Sequence, residues 1–434
     1  MKKSIYFIFL FPLMVFSQHT ISGTFSPAKE FTYAFLYKSA PDGASYVGRA
    51  ELNEEGAFSI PLDSTSIGIY KIVYALPAEE NNFDFIYDGK ESISFTYDLN
   101  KGLEFTESSE NKLWKSYTKS MEMVNMTISN FYQKESTDEK AYLDIFKTLN
   151  DTQNTYLDHT EGLLISELIK ANQPYIPEGF EDINTYSQNL KSNYLKHIDF
   201  SSELLQSSDF LLDRVLTYVF GISNNVDNAS YKTLVDDLAN YIGDNDLVKV
   251  SLLDVVWSQF NALGNDELAL YIIDKYLLDL AKKTGKIYLE ERLSAYKNSA
   301  VGVKAPDFEI ETTEQGVKKT TSLHNIDSAE QYLVVFWSST CGHCLNELPE
   351  VMKLAKEKAN LKVIAFGLED DADNWKKEIA NFPDFTHVIG LQKWENPTAK
   401  QYNISATPSY FLLDRNKTII AKPHLLADLQ KALK

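Results

Sequence analysis

Residues 332–344 read Tyr332-Leu333-Val334-Val335-Phe336-Trp337-Ser338-Ser339-Thr340-Cys341-Gly342-His343-Cys344, and this stretch decides the fold of the last third of the chain. Tyr332 to Trp337 is apolar without alternation, as expected of a strand covered on both faces of a sheet. From Leu345 to Lys358 the pattern turns helical, so the two cysteines stand where a strand gives way to a helix. Further on, Leu361 to Leu368 reads as a second buried strand and Asp373 to Asn381 as a helix. Ser409 to Leu413 and Thr418 to Ala421 read as a hairpin around Arg415-Asn416-Lys417, and a last helix follows from His424. Strands and helices alternating in this way predict an α/β sandwich over residues 300–434.

The protein has two cysteines in 434 residues, and both are in this stretch. That count excludes a disulfide-stapled scaffold and a multi-cysteine metal cluster. At a helix start, free backbone N–H groups and the macrodipole favour an anion. Cys341 is therefore expected to have a depressed pKa and to be the attacking thiolate, with Cys344, one turn further and more buried, resolving the mixed disulfide. His343 between them, when protonated, favours the thiolate and makes the disulfide a better oxidant. A zinc site is the competing reading, but a tetrahedral site wants a second ligand pair that the seven histidines do not supply. No metal and no cofactor are expected, and His159, His197, His324, His387 and His424 read as surface or satisfied core residues.

Outward from this centre the texture changes twice. Residues 1–17, Met1-Lys2-Lys3 followed by an apolar run from Ile5 to Phe16 and Ser17, have the layout of a secretory signal peptide. The run is short for a membrane span, which needs about 20 residues, and an uncleaved anchor is the alternative. The mature chain is thus expected outside the cytoplasm, in the periplasm. Residues 18–106 show short alternating apolar and aromatic runs with turn signals roughly every ten residues, predicting an antiparallel β-sandwich. Residues 107–299 carry leucines at helical spacing, as in Leu204, Leu205, Leu211, Leu212, Val215 and Leu216, and predict a helical region. The balance of 42 basic against 61 acidic residues, a net charge of −19, argues against a nucleic-acid partner.

Residues 301–434 resemble the thioredoxin fold, and within it the TlpA/ResA-like thiol-disulfide oxidoreductases of the bacterial cell envelope. The resemblance rests on Val301-Gly302-Val303-Lys304-Ala305-Pro306-Asp307-Phe308, on Val334-Val335-Phe336-Trp337 before the cysteine pair, on Pro349 eight residues after Cys341, and on Thr407-Pro408 before a strand. It implies a cis Pro408 facing the cysteines, and a docking edge for extended substrates at Thr407, Pro408 and Trp337. Gly342-His343 is similar to the dipeptide of protein disulfide isomerases. Val335 stands where many thioredoxins have a buried aspartate; the resemblance offers Glu369 as proton acceptor instead, with Asp370 competing. Thr340 replaces the usual Trp or Tyr. The regions before residue 300 resemble the accessory parts of Bacteroidetes envelope proteins of this kind, including Tyr194-Leu195-Lys196-His197-Ile198-Asp199-Phe200-Ser201.

The resemblance implies exchange with protein substrates carrying disulfides or dithiols, and a membrane electron donor if the flow is reductive. Oxidase or isomerase activity is favoured by His343 and the oxidising compartment, so the direction is open. Two other classes compete. In one, residues 18–300 recruit an envelope partner and the redox chemistry is secondary. In the other the protein is a peroxiredoxin-like peroxidase, which wants a threonine where Ser338 stands.

Overall fold

The computed structural model describes residues 19–78, 80–222, 227–314 and 317–433; the expected signal peptide lies outside them. Among the described residues no helix is long and apolar enough to cross a membrane. The chain forms two compact units, Met1–Val226 with Asp236–Val248, and Asp227–Val235 with Lys249–Lys434. The division falls inside the helical region rather than at residue 300.

The first unit opens with eight strands: β1 (His19–Ser26), β2 (Tyr33–Ala40), β3 (Gly43–Glu51), β4 (Ala57–Leu62), β5 (Gly68–Val73), β6 (Asn82–Tyr87), β7 (Ile93–Asp98) and β8 (Gly102–Glu107). They make two four-stranded sheets, ordered β4-β1-β7-β8 and β3-β2-β5-β6. The alternation is that of half-buried strands: in β4, Phe58, Ile60 and Leu62 are buried while Ser59 and Pro61 are exposed. Phe25 sits among the rings of Phe31, Phe58, Tyr74, Phe95 and Tyr97, with centroids 4.9–5.8 Å away. Gly23 is required here, because a Cβ would lie 2.3 Å from the Phe95 ring. The sandwich departs from the antiparallel expectation at one pair: β1 and β7 run parallel. Parallel neighbours need a long connection, and the chain between them builds the other sheet.

Helices follow, the first two started by a polar cap: Ser108 accepts from the Asn111 amide ahead of Ser109–Gln133, and Asp138 from the Ala141 amide ahead of Glu139–His159. Asn111 also binds both backbone groups of Ile86, accepting at 2.9 Å and donating at 2.7 Å, which ties this helix to β6.

The second unit holds further helices, among them Asp266–Ile272 and Ile287–Asn298, and seven strands: β9 (Glu309–Glu314), β10 (Val317–Ser322), β11 (Gln331–Trp337), β12 (Leu361–Glu369), β13 (Thr386–Leu391), β14 (Ser409–Asp414) and β15 (Ile419–Ala421). β9 and β10 pair as a separate hairpin; the others form one sheet ordered β13-β12-β11-β14-β15. β11, the strand first read, is central, parallel to β12 and antiparallel to β14. Its unbroken apolar run follows from this position. Tyr332, Val334 and Phe336 face a core with Phe366, Tyr402 and Phe411, and Leu333, Val335 and Trp337 face another with Cys344, Leu348 and Leu429. Two sheet-side elements that periodicity did not reveal, β13 and the helix Pro397–Gln401, complete the domain. The unit boundary has a physical basis in the packing of the helices against the sheet. The Lys422 ammonium, just past β15, lies 4.7 Å from the Tyr296 ring centroid, and the Tyr296 hydroxyl donates to Asp266.

Candidate active site

After Trp337 the chain leaves the sheet through Ser338-Ser339-Thr340 and enters the helix Gly342–Glu357, with Cys341 as its cap. The cap has extended backbone (φ −92°, ψ 110°), and its Sγ accepts the Cys344 amide at 3.3 Å. A cysteine thus takes the place of the usual capping hydroxyl or carboxylate, which favours negative charge on sulfur at the positive helix end. The same thiol donates to the Thr407 carbonyl at 3.4 Å across the start of β14, where the Thr407–Pro408 peptide is cis. Cys341 is partly open to solvent and Cys344 is buried; both are free thiols.

Their acidities diverge. Burial acts to raise the Cys341 pKa, but hydrogen bonds from the Cys344 thiol and amide, with the Thr407 hydroxyl and the His343 amide adding to them, outweigh it. Cys341 therefore lies below the ordinary cysteine value. Cys344 is pushed up to about 12, by burial first and then by its hydrogen bond to Cys341. The pair is an accessible thiolate former above a proton-holding partner. His343 is exposed at the helix start.

Glu369 and Asp370 are separated by the structure. Asp370 is exposed and pairs with Lys393 at 2.6 Å. Glu369 is the last residue of β12 and is buried. It accepts from the Ser339 amide at 2.6 Å, the Ser339 hydroxyl at 3.0 Å and the Ser338 hydroxyl at 3.4 Å. Both its oxygens are engaged with the segment leading to Cys341, so what it does directly is hold that segment. Trp337 requires a correction. Expected on the substrate edge, it is fully buried, packed with Phe382 and the Cys344 side of the core. Its place at the end of a central strand turns it inward, and it offers no surface to a partner.

Sequence reading missed Tyr410 and Glu347. Tyr410 lies opposite Val335 on β14, within the core that holds Cys344, and donates to Glu347 Oε2 at 2.6 Å. Burial, then the Glu347 hydrogen bond and the nearby thiol charges, push the Tyr410 phenol up. The polar group next to the thiols therefore comes from the neighbouring strand, where Val335 leaves β11 without one. Glu347 stands three residues after Cys344 on the same helix face, a spacing that could have flagged it. Among the described residues no group of three His, Cys, Asp or Glu side chains could hold a metal ion.

Residues 300–425 match the Redoxin family. The thioredoxin-like protein YneN of Bacillus subtilis (strain 168) is 30% identical over 131 residues, covering 29% of this chain and 74% of that protein. Among solved structures, a thioredoxin-like protein from Bacteroides caccae is 19% identical, with 60% of this chain and 96% of that one covered at a TM-score of 0.43. The thioredoxin domain of a thiol-disulfide oxidoreductase from Bacteroides vulgatus is 24% identical, with 31% and 99% covered at a TM-score of 0.27. With three quarters of a curated relative matched at that identity, and a Redoxin domain at its carboxyl end, the chain belongs to the thioredoxin-like family as a TlpA-like member.

Proposed function

We propose that the protein is an extracytoplasmic thiol-disulfide oxidoreductase acting on protein substrates through Cys341 and Cys344. The observation that carries this reading is the split between the thiols: Cys341 caps the helix with a lowered pKa, while Cys344 is buried and held protonated at neutral pH. In the reductive direction, the Cys341 thiolate attacks a substrate disulfide, forming a mixed disulfide and releasing one substrate thiolate. Cys344 then loses its proton and attacks Cys341, the second substrate thiolate leaves, and two electrons have passed from the pair to the substrate. The oxidative direction is the reverse.

The Tyr410–Glu347 pair supplies a proton acceptor beside Cys344, and Glu369 positions the Ser338–Ser339 segment. The edge at Thr407 and Pro408 receives the substrate chain, its Thr407 carbonyl already within reach of the attacking sulfur. A membrane electron donor feeds the pair if it works as a reductase.

Reduction of insulin disulfides by the wild type and by Cys341→Ser tests the assignment. Activity surviving in Cys341→Ser would remove Cys341 as nucleophile. Equilibration with glutathione gives the direction, a strongly reducing potential counting against an isomerase.

A further inference from the structure

Arg214 belongs to the helix Asp209–Leu216 in the first compact unit. Its guanidinium stacks on Tyr194 at 3.7 Å from the ring centroid. It donates to the Asn172 side-chain carbonyl at 3.3 Å and to the Tyr194 backbone carbonyl at 2.5 Å. Its Nε is buried with no hydrogen-bond partner, and among the described residues no carboxylate pairs with it. Burial holds its pKa below the arginine norm, and no Asp or Glu charge counters that burial. In a chain with 61 acidic residues, a half-buried guanidinium left without a counter-ion is unusual.

Arg214 lines a cavity of about 360 Å3, with Asn125, Gln173 and Asn193 as polar wall and Leu149, Tyr175 and Tyr186 as apolar wall. Gln173, Tyr175 and Asn193 also border an adjoining cleft of about 650 Å3 that carries Lys196 and His197 together with Glu178 and Glu181, the last held by the Tyr175 hydroxyl and the Asn189 amide. A mostly apolar hollow with a few convergent amides and one unneutralised cation has the make-up of a small-molecule site.

We infer that this cavity binds a small amphiphilic monocarboxylate, of the size of an N-acylated amino acid, with its carboxylate on Arg214 and its apolar part against Leu149, Tyr175 and Tyr186. The charge argues for a monoanion. One guanidinium neutralises one carboxylate, whereas a phosphate dianion would be left half-compensated among amides and aromatic rings. The asparagine and glutamine side chains accept as well as donate, which suits an amide next to the carboxylate. The site is independent of the cysteine pair.

Titration calorimetry on the full chain with N-acetyl-L-phenylalanine, its carboxamide and inorganic phosphate tests the inference. The acid is expected to bind saturably, and the carboxamide at least about tenfold more weakly, the cost of one charge-assisted hydrogen bond. Arg214→Met should lose the acid. Because Arg214 also supports Tyr194 and Asn172, a second variant, Asn125→Trp, fills the exposed mouth without touching the guanidinium and should also abolish binding in a protein with unchanged circular dichroism. Cys341→Ser should bind as the wild type does, keeping this result separate from the redox reading. Equal binding of acid and carboxamide, tighter binding of phosphate, full affinity in Asn125→Trp, or no heat up to about 20 mM acid would each overturn it.

Discussion

Alkylation of the reduced protein by iodoacetamide distinguishes the two thiols by a magnitude that follows from their surroundings. Only the thiolate reacts. With Cys344 pushed up to about 12, its thiolate fraction at pH 7 is about 10⁻⁵, against a few per cent for an ordinary cysteine near 8.5, a deficit of about a thousandfold. Cys341 is shifted the other way, so the ratio of the two rates at pH 7 exceeds about 10³ before any steric protection of the buried sulfur is counted. Quenched-flow labelling followed by peptide mass spectrometry should show a single early modification, at Cys341, with a pH midpoint below that of free cysteine. In Cys341→Ser the hydrogen bond that adds to the Cys344 shift is lost, but burial, the larger cause, remains. Cys344 should therefore still react at least about tenfold more slowly than free cysteine. Comparable rates at both positions, or a Cys341 midpoint at or above the ordinary value, would refute the reasoning from capping and burial.

Glu347→Gln should slow resolution of the mixed disulfide by roughly tenfold or more and flatten its pH dependence, because the carboxylate that accepts from Tyr410 is gone; trapping experiments with a model disulfide read this as accumulated adduct. Glu369→Ala leaves the buried Ser339 amide and hydroxyl without an acceptor and should cost about 1–3 kcal/mol in urea denaturation, while an unchanged midpoint would show that this carboxylate does not hold the segment before Cys341. In the sandwich, half-buried Asp84 is raised to about 6 by burial first and then by Asp209. A carboxyl whose folded pKa exceeds its ordinary 3.8 favours the folded state when protonated, so stability falls as pH rises from about 4 to 6. Asp84→Asn should therefore gain roughly 1–2 kcal/mol at pH 7.5 and nothing at pH 3.5, measured by denaturation at both values.

The strand Tyr332–Trp337 and the helix beginning at the cysteines were legible because both signals are local: an unbroken apolar run and a change of period. The cis Thr407–Pro408 peptide came from family resemblance, and the structure sets its carbonyl beside Cys341. Trp337 was misassigned for a reason that local pattern cannot correct. A strand-end residue faces either solvent or core according to what packs above it, and here the active-site helix and Phe382 cover it. Glu369 and Asp370, adjacent in sequence, were indistinguishable until the sheet placed one against Ser339 and the other on Lys393.

That one cysteine pair opens a helix behind a fully buried strand can be read from neighbouring residues alone, because helix dipole, capping and hydrophobic period act within a few residues of one another. Which polar groups surround that pair depends on packing between distant segments. Tyr410 reaches Glu347 across 63 residues, and Arg214 reaches Asn172 across 42, through strand register and helix packing that no local window encodes. Side chains so far apart in the chain meet only where the accumulated burial of the core brings their backbones together, and it is there that the acidities of the thiols and the unpaired arginine acquire their chemistry.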